Sequence, residues 1–448
     1  MTPLHATTWR SAGRALPGRR MSPEWLLAVV AAGAVAVLLL WWRSTPSVAG
    51  LDDWLTEAGR VTGLLAGYGL AVLLGLMARI PALERGVGSD RVARWHAMGG
   101  RYVIGLITAH VLMIIWGYAL AERIGVVDET AAMVLSFPDM MKATAALLLL
   151  LGVGLVSARA ARRRLRYETW FYLHFYTYLA AWLAFGHQLA TGAQFTGDRM
   201  AQVAWYILYL GVAALLVWYR FLGPVRLWAR HRLRVSRVTT DAPGVVSIHV
   251  TGRGLRRLGA EPGQFFRWRF LARGLWWSAN PYSLSAAPEA DELRITVKAL
   301  GDHSAALPRL WPGTPVLAEG PYGGFTARLG RGGKSLLIAG GVGITPLRTL
   351  FETLPGRVTL LYRARTPEEL LFQDELEEIA RARGDATLYL STGPRAPGLF
   401  DGLNHLLPDL REHDVYVCGP PTMTRAAIKA LRSAGVANHQ IHHESFEF

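Results

Sequence analysis

The stretch WHAMGGRYVIGLITAH, Trp95 to His110, opens and closes on histidine, and most of what lies between suits a buried or membrane helix. Ionisable side chains in such a helix cost free energy and usually face a partner inside the bundle. At 1.5 Å per residue, His96 and His110 stand about 20 Å apart along the helix and within about 40° of one face. The stretch therefore asks for two partners at two depths.

A second segment offers them. RYETWFYLHFYTYLAAWLAFGHQ, Arg166 to Gln188, carries His174 and His187, thirteen residues apart. Inner matches inner and outer matches outer, so His96 with His174 and His110 with His187 could each clamp a flat cofactor at one depth. Neutral imidazole is a good axial ligand for iron, and ligation by two histidines leaves no open position, which suits electron transfer. A lone membrane histidine is usually a hydrogen-bonded helix contact; four matched in depth on two helices favour ligation. Thirteen residues leave a straight helix about 140° off face, so this segment is expected to bend or bulge, or the two cofactors to be offset.

The rest of the chain frames these segments. It has 448 residues, 51% of them hydrophobic, and a formal net charge of +15. Mean hydropathy is +0.22, and nearly all of that excess lies before Phe221. Six stretches have close to the ~20 apolar residues that a spanning helix needs: Trp25–Trp42, Val61–Ile80, Gly99–Leu120, Met140–Val156, Trp170–Leu189 and Val203–Phe221. The first follows arginines as a signal peptide would, but no clear small-residue cleavage site follows it, and it reads as a retained span. Arginines crowd the N-terminal segment (Arg10, Arg14, Arg19, Arg20), the second loop (Arg79, Arg85, Arg91, Arg94, Arg101), the fourth (Arg159, Arg162, Arg163, Arg164, Arg166) and the exit of the sixth span (Arg220, Arg226, Arg230, Arg232). The remaining loops hold Asp52, Asp53, Glu57, Glu122, Asp128, Glu129 and Asp198. The positive-inside rule then places the protein in the cell membrane with both termini cytoplasmic. The basic excess is a topology signal and gives no reason to expect nucleic acid. A single cysteine, Cys418, excludes an intrachain disulfide, a thiolate-held iron–sulfur cluster and a thiolate zinc site.

The domain boundaries follow: residues 1–24 as a cytoplasmic segment, 25–222 as a transmembrane bundle, 231–328 and 334–448 as soluble domains. LRVSRVTT, VVSIHVTG, GQFFRWRF, ELRITVKAL and TPVLAEG are short strands suited to a small antiparallel β-barrel. From Lys334 strands and helices alternate: KSLLIAGGVGITPLRTLFETL, RVTLLYRAR, PEELLFQDELEEIARAR read as a helix, and DVYVCGPPTMTRAAIKALRSAG. That alternation implies a parallel α/β sheet, which binds ligands at the carboxyl ends of its strands. Gly340, Gly341 and Gly343 would let backbone N–H groups approach a pyrophosphate, although the spacing departs from the GxGxxG fingerprint.

In this order and spacing the motifs resemble the family of transmembrane ferric reductases and NADPH oxidases, a six-helix bis-haem domain fused to a ferredoxin-NADP reductase-like module. The resemblance runs from about Val61 to the end. It implies two haem b groups held by His96, His110, His174 and His187. NPYSLS is similar to the flavin motif, with Pro281 inside it, Tyr282 along the flavin, Ser283 near its N5, and Asn280 where an arginine or histidine is expected. A neutral amide cannot supply a guanidinium's charge-assisted contact to phosphate, and Arg267, Arg269 or Arg294 are the substitutes considered. KALGDHSAAL resembles the next FAD segment, with Gly301 and Ser304 near the pyrophosphate, and GPYGGF the turn that ends the barrel. GGVGITP, with Thr345, resembles the NAD(P) loop. Arg363 and Arg365 would meet the adenosine end, Cys418, Gly419 and Pro420 the nicotinamide, and Phe448 would stack on the flavin and move aside as a gate, with Cys418 assisting hydride transfer. The implied activity is electron transfer from NAD(P)H through FAD and haem to an acceptor across the membrane. A ferric chelate is slightly favoured, reduction of O2 to superoxide is the alternative, and an external partner protein is the third possibility. NADH and NADPH stay undivided at this point.

Overall fold

The computed structural model describes residues 21–45, 47–162, 164–165, 167–393, 400 and 402–444. Among them, 21–80 with 89–219 form one compact unit, and 81–88 with 220–444 form another.

The helices are α1 (Pro23–Ser44), α2 (Leu51–Leu76), α3 (Pro81–Gly86), α4 (Ser89–Glu122), α5 (Val126–Ser136), α6 (Met140–Ser157), α7 (Arg159–Arg162), α8 (Tyr167–Thr191) and α9 (Arg199–Val217). Their ends carry ordinary capping chemistry. Ser22 Oγ accepts from Trp25 N at 3.2 Å ahead of Pro23, and Asp198 accepts from Met200 N and Ala201 N, both at 3.0 Å, filling donors that a helix start leaves open. Five described helical stretches are long and apolar enough to cross a membrane: Pro23–Ser44, Leu51–Leu76, Arg91–Glu122, Met140–Ser157 and Arg199–His231. The helix with the second histidine pair, α8, spans 25 residues. Leu155, Trp182 and Ile207 point outward and stay exposed, as they would toward lipid. Inside, α2 packs along α4 and α6 along α8. Glycine explains the first contact: a Cβ on Gly63 would lie 2.5 Å from Nδ1 of His110, so a larger residue would push α4 away.

In the second unit, α3 packs on β6, and a π-helical turn at Trp218–Leu222 leads into α10 (Gly223–His231). Then come β1 (Arg234–Ala242), β2 (Val245–Thr251), β3 (Phe265–Phe270), β4 (Asn280–Ser283), β5 (Glu292–Lys298), α11 (Asp302–Ala306) and β6 (Val316–Tyr322). Two antiparallel three-stranded sheets, β1-β2-β5 and β4-β3-β6, face one core. Single bridges Arg234↔Pro315 and Leu284↔Ile295 join their edges. On β3 the alternation expected of a strand sends Phe266, Trp268 and Phe270 fully inward. The Trp268 indole also donates to Tyr282 O at 3.0 Å, which fixes the flavin-motif strand β4 to its neighbour.

The chain continues as β7 (Lys334–Gly340), α12 (Ile344–Thr353), β8 (Arg357–Ala364), α13 (Gln373–Arg383), β9 (Ala386–Thr392), α14 (Leu403–Leu406), β10 (Asp414–Cys418), α15 (Pro421–Ser433) and β11 (Ile441–Glu444). The five strands are parallel in the order β11-β10-β7-β8-β9. The direction of strand succession thus reverses between β7 and β10, the place where such sheets open a ligand crevice. The helix expected over PEELLFQDELEEIARAR starts later, at Gln373, because Phe372 adopts a left-handed φ of 61° and Pro367–Glu369 forms a separate 3-10 turn.

An ion network ties the antiparallel sheets to the parallel one. Arg294 of β5 donates to both carboxylate oxygens of Glu375 on α13 at 2.7 and 2.8 Å, and Arg348 of α12 donates to Glu375 at 2.8 Å. Burial opposes ionisation of Glu375, but the two guanidiniums outweigh it and hold its carboxyl below the usual range. Removing the central indole of this unit with Trp268→Ala is expected to cost about 3–5 kcal/mol of stability, measured by denaturant unfolding followed through tryptophan emission.

Candidate functional site

The four membrane histidines come together as two pairs. The ring centroids of His96 and His174 are 5.9 Å apart at 75°, and those of His110 and His187 are 6.4 Å apart at 53°. Two imidazoles on opposite sides of one metal, with bonds of ~2 Å, place their centroids about 6 Å apart, so both pairs fit axial ligation. Because α8 is helical without a break, no bulge compensates for the thirteen-residue spacing.

The outer nitrogens of these rings are also arranged. His110 Nδ1 lies 2.7 Å from Gly59 O and His96 Nδ1 3.2 Å from Leu73 O, both acceptors on α2. His187 Nδ1 lies 2.8 Å from Thr191 Oγ1, whose own proton goes to His187 O at 3.0 Å. A carbonyl can only accept, so in His96 and His110 Nδ1 carries hydrogen and the Nε2 lone pair is left for a metal, while the Thr191 hydroxyl fixes the orientation of the His187 ring. His174 differs: its Nδ1 is buried without a hydrogen-bond partner, and its ring stacks on Trp170 at 5.2 Å, with Arg162 lying 4.5 Å over that indole. Beside the outer pair is a cavity of about 280 Å³ lined by His110, His187, Leu64, Ile114, Met133 and Arg60 among others. The Arg60 guanidinium is held by Glu57, which is 6% exposed and also accepts from Trp41 Nε1 at 2.7 Å. Among the described residues no three His, Cys, Asp or Glu side chains converge on one point; the histidines occur as facing pairs.

In the second unit, two predicted loops meet at the switch point. A Cβ on Gly343 would lie 2.4 Å from Cys418 O, and one on Gly419 would lie 3.1 Å from Gly340 Cα. The turn after β7 and the turn after β10 (Cys418, Gly419, Pro420) therefore touch backbone to backbone, which explains glycine at those positions. Gly341 has a φ of 54°, a value that favours glycine. Thr345 is buried and its hydroxyl donates to Val342 O at 3.0 Å, closing the turn. Arg363, in register with Gly340, donates to Ser391 Oγ at 3.0 Å and Gly393 O at 3.2 Å. Arg365 is exposed, with its backbone N–H directed to Glu369 at 3.3 Å.

Asn280, Pro281, Tyr282 and Ser283 form β4, pairing with Phe265–Trp268. Burial pushes the Tyr282 phenol well above its ordinary pKa, so it stays neutral. Ser304 closes its own turn, accepting from Leu300 N at 2.9 Å and Gly301 N at 3.1 Å. Cys418 is fully buried, and burial, with the nearby Glu444 charge, pushes its thiol well up. Phe448 lies outside the described residues. Two residues at these sites escaped the sequence reading. Glu444 sits in register with Cys418 and 3.6 Å from where a Cβ on Gly323 would be, so it joins the GPYGGF turn to the CGPP turn. Thr191 is visible in hindsight as the fourth residue after His187 on one helix face.

Residues 62–185 match the family described as ferric reductase like transmembrane component, and residues 337–429 match the oxidoreductase NAD-binding domain. The chain is 32% identical over 233 residues to the reductase component of propane 2-monooxygenase from Rhodococcus jostii, covering 48% of this chain and 63% of that protein; it thus spans less than two thirds of that relative's length. It is 31% identical to the glycine betaine monooxygenase reductase subunit of Chromohalobacter salexigens, covering 50% of this chain and 68% of that one. Ferredoxin–NADP reductase B of Sorangium cellulosum is 30% identical over 37% of this chain and 77% of its own length. Since Gly343 faces immovable backbone, Gly343→Ala is expected to abolish retention on an immobilised nicotinamide nucleotide while FAD content stays at the wild-type level. Together the two matched regions and these relatives show that the chain joins a ferric-reductase-like transmembrane domain to an FAD/NAD reductase module of the ferredoxin-NADP reductase kind on one polypeptide.

Proposed function

We propose that this protein is a transmembrane oxidoreductase that moves electrons from cytosolic NAD(P)H, through FAD and two b-type haems, to an acceptor across the membrane, a ferric chelate. The observation that carries this reading is the pair of facing imidazole couples on α4 and α8, with Nδ1 hydrogen-bonded in three of the four rings. FAD supplies the exchange between hydride and single electrons when bound, and haem iron supplies one-electron transfer. The chain's own residues do the positioning. Gly59 O and Leu73 O orient the α4 rings, and Thr191 orients His187; such outer contacts raise the basicity of the ligating nitrogen. The touching turns at Gly343 and Cys418 shape the nucleotide crevice, and the buried thiol of Cys418 stays protonated beside it. Both termini are read as cytoplasmic from the arginine-rich loops. The relatives named as reductase components of monooxygenases support a second reading, in which the acceptor is a partner protein.

The test is an anaerobic absorbance spectrum of the purified, haem-loaded protein with FAD, before and after NADPH. Sharp reduced b-type bands that decay on adding ferric citrate are the expected result, and absence of any haem signal would sink the proposal. His110→Ala is expected to halve the haem content from two to one and leave flavin reduction intact.

Replacing Arg363 and Arg365 together by alanine is expected to raise the KM for NADPH by about tenfold and to leave that for NADH nearly unchanged. Equal shifts for both nucleotides would show that neither guanidinium reads the 2′-phosphate.

A further inference from the structure

The four membrane histidines are not held alike. His96 and His110 meet backbone carbonyls of α2 through Nδ1, and His187 meets the Thr191 hydroxyl. Nδ1 of His174 is buried without a hydrogen-bond partner. What holds this ring is a stack. Trp170, one turn earlier on α8, lies 5.2 Å from it at 23°. The indole is itself anchored, its Nε1 donating to Ser157 Oγ at the end of α6 at 3.2 Å. Arg162, the last residue of α7, sets its guanidinium carbon 4.5 Å from the centre of the same indole. Residues of three helices thus converge on the His174 ring, and they bring a cation toward it.

Both features act on a bound iron in the same direction. An acceptor for Nδ1–H raises the basicity of the ligating nitrogen and so favours ferric iron; His174 has no such acceptor. Reduction removes one positive charge from the centre, so a nearby cation favours the ferrous state. The steps of 4.5 and 5.2 Å place the guanidinium within about 10 Å of the imidazole, close enough for charges to interact in a medium less polar than water. At the outer pair both rings have a partner at Nδ1. The cation beside that pair, Arg60, is matched by the carboxylate of Glu57.

We propose that Trp170 and Arg162 set the reduction potential of the inner haem, the one assigned to His96 and His174, above that of the outer. Both are positioning residues that act through the imidazole of His174. The inference rests on the haem reading of the proposed function and deepens it: an electron leaving the flavin settles first on the inner haem, and occupies the outer one in the smaller fraction that the difference in potential allows.

The experiment is an anaerobic redox titration of the full-length, haem-loaded protein in detergent, followed in the reduced b-type absorbance, with His110→Ala used to assign the wave of the inner haem. Two one-electron waves are expected, the inner one higher. Arg162→Gln is expected to move the inner wave down by about 60 mV, a tenfold change in the ferric-to-ferrous ratio, and to leave the outer wave in place. Arg162→Lys keeps a cation over the indole and stays near the wild-type value. Trp170→Leu lowers the inner wave likewise, and the double variant Arg162→Gln/Trp170→Leu goes little further, as residues acting through one contact should. If Trp170→Leu fails to retain the inner haem, Arg162→Gln, which leaves the ring stack in place, decides alone. An inner wave at or below the outer one, both waves moving together, or unchanged potentials in Arg162→Gln with two haems bound overturns the assignment. Wild-type protein that takes up no haem removes the haem reading and the assignment with it.

Discussion

The hydrogen bonds from the α4 imidazoles to backbone carbonyls of α2 are the constraint on which the membrane unit depends. A helix carbonyl has two lone pairs, so it can serve the helix ladder and a side chain together. Gly59 and Leu73, the two acceptors, are separated by the same fourteen positions as His96 and His110, and in two antiparallel helices that equality sets both rings at matched depths. The arrangement works only where the helices lie close, and the small residue at Gly63 permits that approach. Histidine geometry, helix spacing and cavity position thus follow from one packing choice.

The reductase unit is organised around a different contact of the same kind, backbone against backbone. Turns from two strands that diverge at the switch point close on each other through Gly340, Gly343 and Gly419. Any side chain at Gly343 would wedge the crevice apart. The Glu375 network works at longer range. By pairing with guanidiniums from β5 and α12, one carboxylate fixes the flavin-motif sheets against the nucleotide-motif helices without using either crevice. Charge-assisted hydrogen bonds of this bidentate type add geometric definition as well as attraction.

Much of this was legible in the residues. Depth matching alone pairs His96 with His174 and His110 with His187, because helical rise is fixed. Alternation of strand and helix after Lys334 announces a parallel sheet. What stayed hidden has physical reasons. A backbone acceptor has no residue type, so Gly59 O and Leu73 O leave no mark beyond glycines four apart at Gly59, Gly63 and Gly67. β4 is only four residues long and contains proline, which hides a strand inside a motif. β11 reads as IHHE, a polar edge segment with no periodicity to count. The late start of α13 depends on the left-handed turn at Phe372, a conformation that an aromatic residue rarely adopts and that no propensity argument anticipates. The contact of Asn280 Nδ2 with Nδ1 of His303, at 3.1 Å, spans two segments and becomes visible only in three dimensions.

The burial of Cys418 has a consequence for chemical durability. Flavin-linked electron carriers work in the presence of oxygen, and peroxide attacks thiolates in proportion to their ionisation and exposure. The single thiol of this chain has neither: it is fully buried and its ionisation is suppressed by burial and by the carboxylate of Glu444. Sulfenic acid formation, mixed disulfides with small thiols and intermolecular crosslinking are thereby disfavoured at the one thiol where they could begin, so the turn after β10 keeps its shape without a redox-sensitive cysteine at its base.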